Sequence, residues 1–197
     1  MLAKRLFDII SSIIGLGLFS PFFIMICVLI LVTSKGDIFY SQIRVGKEKN
    51  HFNLLKFRTM KPGSDKAGQI TVGSNDSRIT RVGIFLRKFK LDEIPQLINV
   101  IKGEMSIVGP RPEVPKYVNL YSEEQLKVLT VRPGLTDLAS IEFINENELL
   151  GKTKNPEKEY VEVIMPKKLA LNIQYIDTQS FLGDIKLIFR TFGRILK

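Results

Sequence analysis

Hydrophobic and polar positions divide this chain into one long apolar stretch and a patterned remainder. No charged residue occurs from Ile9 to Ser34, whereas Lys4, Arg5 and Asp8 precede the stretch and Lys35, Arg44 and Lys47 follow it. A straight helix of about 20 residues crosses a bilayer, so the run predicts a membrane helix rather than a soluble core helix. It has an acid ahead of it and lacks an Ala-x-Ala site at its end, which separates it from a secretory leader. Ser20-Pro21 falls near the middle, where proline removes a backbone donor and bends or breaks a helix. Basic residues on both flanks favour the cytoplasmic side for both ends, which one spanning helix cannot provide. Two readings remain: a helix broken at Ser20-Pro21 that enters one leaflet and returns, or a tilted, kinked spanning helix. Carbonyls freed at the proline need partners within lipid, for which Ser20, Ser11 and Ser12 are available.

The period then changes. Ile38 to Val45 and Phe52 to Arg58 flank the polar turn Gly46 to Asn50 and predict a β-hairpin. Strand alternation places Lys56 and Arg58 on one face, suited to a phosphate or simply to solvent. Lys61 to Asn75 is rich in Gly, Ser and Asp and reads as a loop that acts as a mobile lid. Arg78 to Lys90 is basic and amphipathic, fitting either anionic headgroups or a solvated helix face.

Next, Ile94, Leu97, Ile98 and Ile101 recur at helical spacing, with Asp92 as N-cap and Pro95 in the first turn. That sets Asp92 and Glu93 at a helix N-terminus, where free N–H groups suit phosphate. A plain capped helix start with a charge pair fits the local spacing equally well. A helix from Val114 to about Val131, restarted at Ser122, leads to the turn Val131 to Thr136, which offers Arg132. Ile141 to Pro156 is polar and acidic. Two helices follow Pro166; the last sets Ile185, Ile188, Phe189, Phe192 and Leu196 against Lys186, Arg190, Arg194 and Lys197. Such a helix either packs on the domain or sits in the headgroup layer. The expected division is residues 1–35 as membrane segment and 36–197 as a domain seated on the membrane.

Composition narrows the partners. The formal charge of +9 points to anions: lipid headgroups, nucleotides or nucleic acid. With no Trp and no aromatics interleaved among the basic residues, a single-strand stacking platform is absent, so nucleic acid is not expected as a partner. One Cys (Cys27) and one His (His51) rule out an intrachain disulfide and a Cys/His zinc cluster. Any metal needs oxygen ligands, which favours Mg²⁺. No Gly-rich phosphate loop is present.

Lys56-Phe57-Arg58-Thr59-Met60, Leu91-Asp92-Glu93-Ile94-Pro95-Gln96, Met105 to Pro112 and Val131 to Thr136 follow the membrane segment in that order. Together they resemble the bacterial sugar transferase family, in its small monotopic polyprenyl-phosphate phosphoglycosyl transferases. The resemblance is firm from Lys4 to about Ala139 and looser beyond. It implies an α+β fold, mostly helical with a small β-hairpin, held by a re-entrant N-terminal helix and amphipathic interfacial helices on the cytoplasmic face of a bacterial inner membrane. The activity it implies is transfer of a sugar-1-phosphate from a UDP-sugar to polyprenyl phosphate with release of UMP. Asp92 is then the nucleophile and a Mg²⁺ ligand, with Glu93 its partner; Arg87 and Arg111 lie near the phosphates, and Lys56, Arg58 and Arg132 are further candidates. Anionic phospholipid and downstream glycosyltransferases join the expected partners. The chain departs from the family at Thr136-Asp137-Leu138-Ala139-Ser140, where many members read Thr-Gly-Leu-Ala-Gln, so Asp137, Ser140 and the acidic stretch after them are candidates for altered sugar recognition.

The chemistry is consistent with that assignment. Cleaving a pyrophosphate requires charge neutralised on non-bridging oxygens, which Mg²⁺ and arginines supply. A carboxylate nucleophile divides the transfer into two steps. A non-catalytic basic module anchored on anionic lipid fits the charge and amphipathicity but gives no reason for the ordered arginines around adjacent acids, and the intact acid pair argues against an inactive relative serving as a scaffold.

Overall fold

The computed structural model describes residues 2–64 and 76–195; most of the expected lid, 65–75, and the last two residues lie outside the described residues. Helix α1 spans Leu2–Thr33. At 1.5 Å per residue that is about 48 Å, longer than a hydrocarbon core of about 30 Å. Only 11% of its most apolar stretch is buried, so it is not the core helix of a soluble domain. The sequence predicts an interruption at Ser20-Pro21, yet the helical backbone runs through it. The local reason is visible: Pro21 cannot donate to the Gly17 carbonyl four residues back, and the Ser20 hydroxyl donates to that same oxygen at 2.8 Å.

Both ends of α1 are fastened to the rest of the chain. At its start, Lys4 Nζ donates to Val108 O at 2.9 Å and pairs with Asp184; Arg5 donates to Val100 O and Ile101 O at 2.7 and 3.0 Å. Asp8 accepts from Ile107 N at 3.0 Å. Toward its end, Ile26 and Ile30 pack with Phe57 and Leu86 in a small core. Residues 17–22, between these anchors, are all exposed.

The expected hairpin forms from β1 (Phe39–Val45) and β2 (His51–Phe57), antiparallel, with Phe39 opposite Phe57 and Val45 opposite His51. Phe52 and Leu54 point from β2 into a core with Val100 and Met105. Helix α2 (Arg81–Lys88) is capped by the Thr80 side chain, which accepts from Gly83 N. It lies so close to the β2 exit that a Cβ on Gly83 would meet Thr59 O at 2.1 Å. Helix α3 is Gln96–Lys102, and β3 is Ser106–Val108.

The helix expected from Val114 to about Val131 with a restart at Ser122 is interrupted there but shorter on both sides: α4 (Pro115–Val118) and a 3-10 segment, Gln125–Thr130. Ser122 and Gln125 bond each other's backbone N–H at this restart. Strand β4 (Gly134–Thr136) pairs parallel with β3. The acidic stretch folds into α5 (Leu138–Glu142), α6 (Glu146–Gly151) and α7 (Pro156–Glu159). A π-helical turn, Tyr160–Ile164, runs into α8 (Met165–Thr178). Val114, Tyr117, Val128, Leu150, Ile164 and Leu169 build the main core there.

Helix α9 (Phe181–Ile195) packs through Asp184 and Leu187, and Phe181 meets Phe7 of α1 edge-on at 5.4 Å. Leu182, Phe189 and Phe192 stay exposed, as do Ile84 and Phe85 on α2. Of the two alternatives raised for the last helix, packing on the domain is seen, through one face, while these apolar side chains of the helix stay uncovered. The whole is α+β, mostly helical, with one small hairpin and an apolar N-terminal helix.

Candidate active site

The acidic pair sits in a turn, not at a helix N-terminus. Lys90 adopts a left-handed conformation (φ 56°) just past α2, which drives Leu91 inward. Leu91 and Ile94 pack beside the α1 core, and Leu91–Glu93 forms a single 3-10 turn between them. Asp92 and Glu93 are thus only 5% and 7% exposed. Asp92 does not cap α3, whose N-cap is Pro95. Side-chain cations, rather than helix N–H groups, surround the pair.

Glu93 holds two of them. Its Oε1 accepts from Lys56 Nζ at 3.0 Å and from Arg111 Nη2 at 2.5 Å, while Oε2 accepts from Arg111 Nη1 at 3.3 Å. The Arg111 contact is a two-pronged fork of the stronger, charge-assisted kind. Burial alone raises a carboxylate, but Arg111, Lys56 and Lys90 outweigh it and hold Glu93 well below the usual glutamate range. Arg111 is correspondingly raised by Glu93, and burial lowers Lys56 despite Glu93.

Asp92 is placed differently. Its Oδ1 is buried with no hydrogen-bond partner among the described residues. Burial pushes its carboxyl above the usual aspartate range; Lys56 opposes this and Glu93 adds to it. Of two adjacent acids, one is fully engaged and the other keeps a free oxygen. No group of three or more His, Cys, Asp or Glu side chains able to hold a metal occurs among the described residues. Asp92 alone still fits Mg²⁺, which keeps several waters and binds through one or two carboxylates plus substrate phosphates.

The remaining candidates divide. Arg87 donates from Nε to Thr59 Oγ1 at 2.9 Å, and its guanidinium is lowered by burial while the Asp92 charge opposes that shift. Arg58 faces elsewhere: beyond the last paired residue of β2 the strand alternation ends, and its side chain clasps the chain leaving α1, at Ser34 O (3.0 Å), Gly36 O (3.2 Å) and Asp37 O. Arg132 is exposed and donates to Gly103 O at 2.8 Å. Lys56, Glu93 and Arg111 therefore gather beside Asp92 with Arg87 at the edge, whereas Arg58 and Arg132 make backbone contacts outside that cluster.

Some supporting residues carried no evident sequence signal. Asn99 is fully buried on α3 and joins it to the hairpin, donating to Asn53 O at 2.8 Å and accepting from Leu55 N at 3.1 Å. A lone amide among Leu97, Ile98, Val100 and Ile101 was the available clue. The Arg111 loop is braced on both sides. Gly109 crosses β4 so tightly that a Cβ on Gly134 would meet Gly109 N at 2.1 Å. Glu113 is held by Arg44 at 3.0 Å and by the Tyr160 hydroxyl. Asp137, a candidate for sugar recognition, is fully buried and capped into α5.

A model of the family described as "Bacterial sugar transferase" matches residues 1–197. The chain belongs to that family. Its relatives include the exopolysaccharide production protein ExoY of Rhizobium meliloti, 35% identical over 98% of this chain and 85% of the relative. The UDP-glucose:undecaprenyl-phosphate glucose-1-phosphate transferase of Caulobacter vibrioides is 35% identical over 99% of this chain and 70% of the relative. The UDP-N-acetylgalactosamine-undecaprenyl-phosphate N-acetylgalactosaminephosphotransferase of Aeromonas hydrophila is 34% identical over 98% of this chain and 43% of its own length. Within this sugar transferase family, then, relatives of nearly equal identity carry different sugars in their names.

Proposed function

We propose that the chain moves a sugar-1-phosphate from a UDP-sugar to polyprenyl phosphate, undecaprenyl phosphate above all, through a covalent intermediate on Asp92. The observation that carries this reading is the asymmetry of the dyad: Glu93 is saturated by Lys56 and Arg111, and Asp92 Oδ1 is buried and free. A module that only bound anionic lipid would gain nothing from removing two acids from water, which costs several kcal/mol per ion before pairing offsets it.

In this mechanism an Asp92 oxygen attacks the β-phosphorus of the UDP-sugar. The bond from that phosphorus to the bridging oxygen breaks, and UMP leaves with the oxygen. The sugar-phosphate remains on Asp92 as an acyl-phosphate until a phosphate oxygen of the lipid attacks the same phosphorus and frees the carboxylate. Arg111, Lys56 and Arg87 neutralise the non-bridging oxygens as charge builds on them. Glu93 positions the first two through its ion pairs with them. Mg²⁺ held by Asp92 and substrate phosphate supplies further charge neutralisation when bound.

The test is UMP release by the full chain in nanodiscs, with undecaprenyl phosphate and either UDP-glucose or UDP-N-acetylgalactosamine. Release of many equivalents of UMP per chain that depends on the lipid, lost with EDTA and restored by Mg²⁺, is expected with at least one donor from a panel begun with these two. Failure of every UDP-sugar in the presence of Mg²⁺ would return the chain to the non-catalytic class.

Residues 1–35 then serve as a re-entrant membrane segment and 36–197 as the catalytic domain, on the cytoplasmic face of the inner membrane. Both ends of α1 dock on one domain, with exposed residues 17–22 between them, which supports a helix that dips into one leaflet. The uncovered apolar faces of α2 and α9 would seat the domain among anionic lipids, where its product would pass to downstream glycosyltransferases in exopolysaccharide or other glycoconjugate assembly. Cysteines placed at Ala3 and Lys35, after Cys27→Ser, should react with an impermeant reagent from the same side. Labelling from opposite sides would eliminate the re-entrant topology.

A further inference from the structure

Arg111 lies between two prolines, Pro110 and Pro112, neither of which has a backbone N–H. Its own N–H is thus the only main-chain donor in that triplet, and Asp137 Oδ2 accepts it at 2.7 Å. The other carboxylate oxygen of Asp137 accepts from Ser140 N and starts α5. The side chain is 0% exposed, so neither bond competes with water. One carboxylate thereby ties the main chain of Arg111 to the first turn of a helix. On its other side the same residue holds Glu93 through its guanidinium.

We propose that Asp137 is a positioning residue for Arg111: its buried carboxylate fixes the arginine's backbone so that the guanidinium stands over the phosphate to be transferred. The inference rests on the phosphate role given to Arg111 above. It replaces sugar recognition as the function of Asp137, because a carboxylate with both oxygens engaged by backbone N–H groups and no exposed surface cannot reach a sugar hydroxyl. The neighbouring prolines are held by Gly134 N to Pro110 O and by Arg44 to Pro112 O, at 2.9 and 3.0 Å, so without Asp137 the segment stays in place but Arg111 loses the one bond made by its own N–H. A misplacement on the order of 1 Å at such a clamp lowers turnover by about 10²-fold.

The test is a double-mutant cycle on turnover at saturating donor and undecaprenyl phosphate, using the full chain in nanodiscs with whichever UDP-sugar the wild type accepts. Asp137→Ala is expected to slow turnover roughly 10- to 100-fold. In an Arg111→Ala background the same change should have no further effect, because the residue it positions is gone. Asp137→Ser keeps one oxygen to cap α5 but cannot span to Arg111 as well. With the cap kept and only the Arg111 N–H left unpaired, it should fold and unfold within about 10 °C of the wild type and still lose the same turnover, which covers the case in which Asp137→Ala does not fold. Full turnover in Asp137→Ser, or a loss from Asp137→Ala that multiplies with Arg111→Ala, overturns the proposal while leaving the role of Arg111 intact. Undiminished turnover in Arg111→Ala overturns both.

Discussion

Asp92→Asn is expected to remove sugar-phosphate transfer, lowering turnover by about four orders of magnitude or more, without unfolding the chain. The amide matches the carboxylate in shape but is neutral and a poor nucleophile. Stability should hold or rise, because Asp92 has a raised pKa: folding disfavours its charged form. Removing that charge relieves a burial penalty, and Asp92 makes no salt bridge among the described residues that the change would break. Thermal unfolding beside UMP release checks both halves. A variant that lost activity and unfolded far below the wild type would point to a structural carboxylate.

Glu93→Gln should do the reverse to stability. It removes the shared anion of Lys56 and Arg111, and breaking a buried pair costs about 3–5 kcal/mol. The lower end applies here, because the Lys56 and Arg111 side chains keep 21% and 31% of their surface in solvent. For a chain of this size that corresponds to a midpoint lower by about 10 °C. The folded-state pKa of Glu93 is depressed, so its contribution is complete above the unfolded pKa and is lost as pH falls through the folded value. The gap between wild type and variant should therefore persist through neutral and mildly acidic pH and close only in strong acid. Turnover should fall by roughly 10²-fold or more as Arg111 loses its anchor. A Glu93→Gln protein as stable as wild type would show that the two cations do not depend on it.

Much of this site was legible in short motifs, and the losses have physical causes. Apolar runs and alternation located α1 and the hairpin, since burial against lipid or core is what those patterns encode. The acid pair and Arg111 stood out as charges set among apolar residues. Their setting did not: Asp92 read as a helix cap because local spacing cannot show that a left-handed Lys90 turns the chain inward first. Arg58 shared an alternation with Lys56 until the ladder ended one residue too soon. That α1 runs on through Pro21, with the Ser20 hydroxyl taking up the Gly17 carbonyl, is a contact to backbone that the pattern does not display. Asp137 departed from the family pattern visibly, but its partner, a main-chain N–H 26 residues away, carries no side-chain signature. Contacts to backbone are where pattern reading loses most.

The central claim is that Asp92 carries the sugar-phosphate before any lipid arrives. Its most direct test is isotope exchange: labelled UMP, Mg²⁺ and the accepted UDP-sugar are incubated with the full chain in nanodiscs free of polyprenyl phosphate. Label should pass into the UDP-sugar with wild-type protein and not with Asp92→Asn. Exchange that appears only when polyprenyl phosphate is added would contradict the covalent route and leave direct displacement in its place.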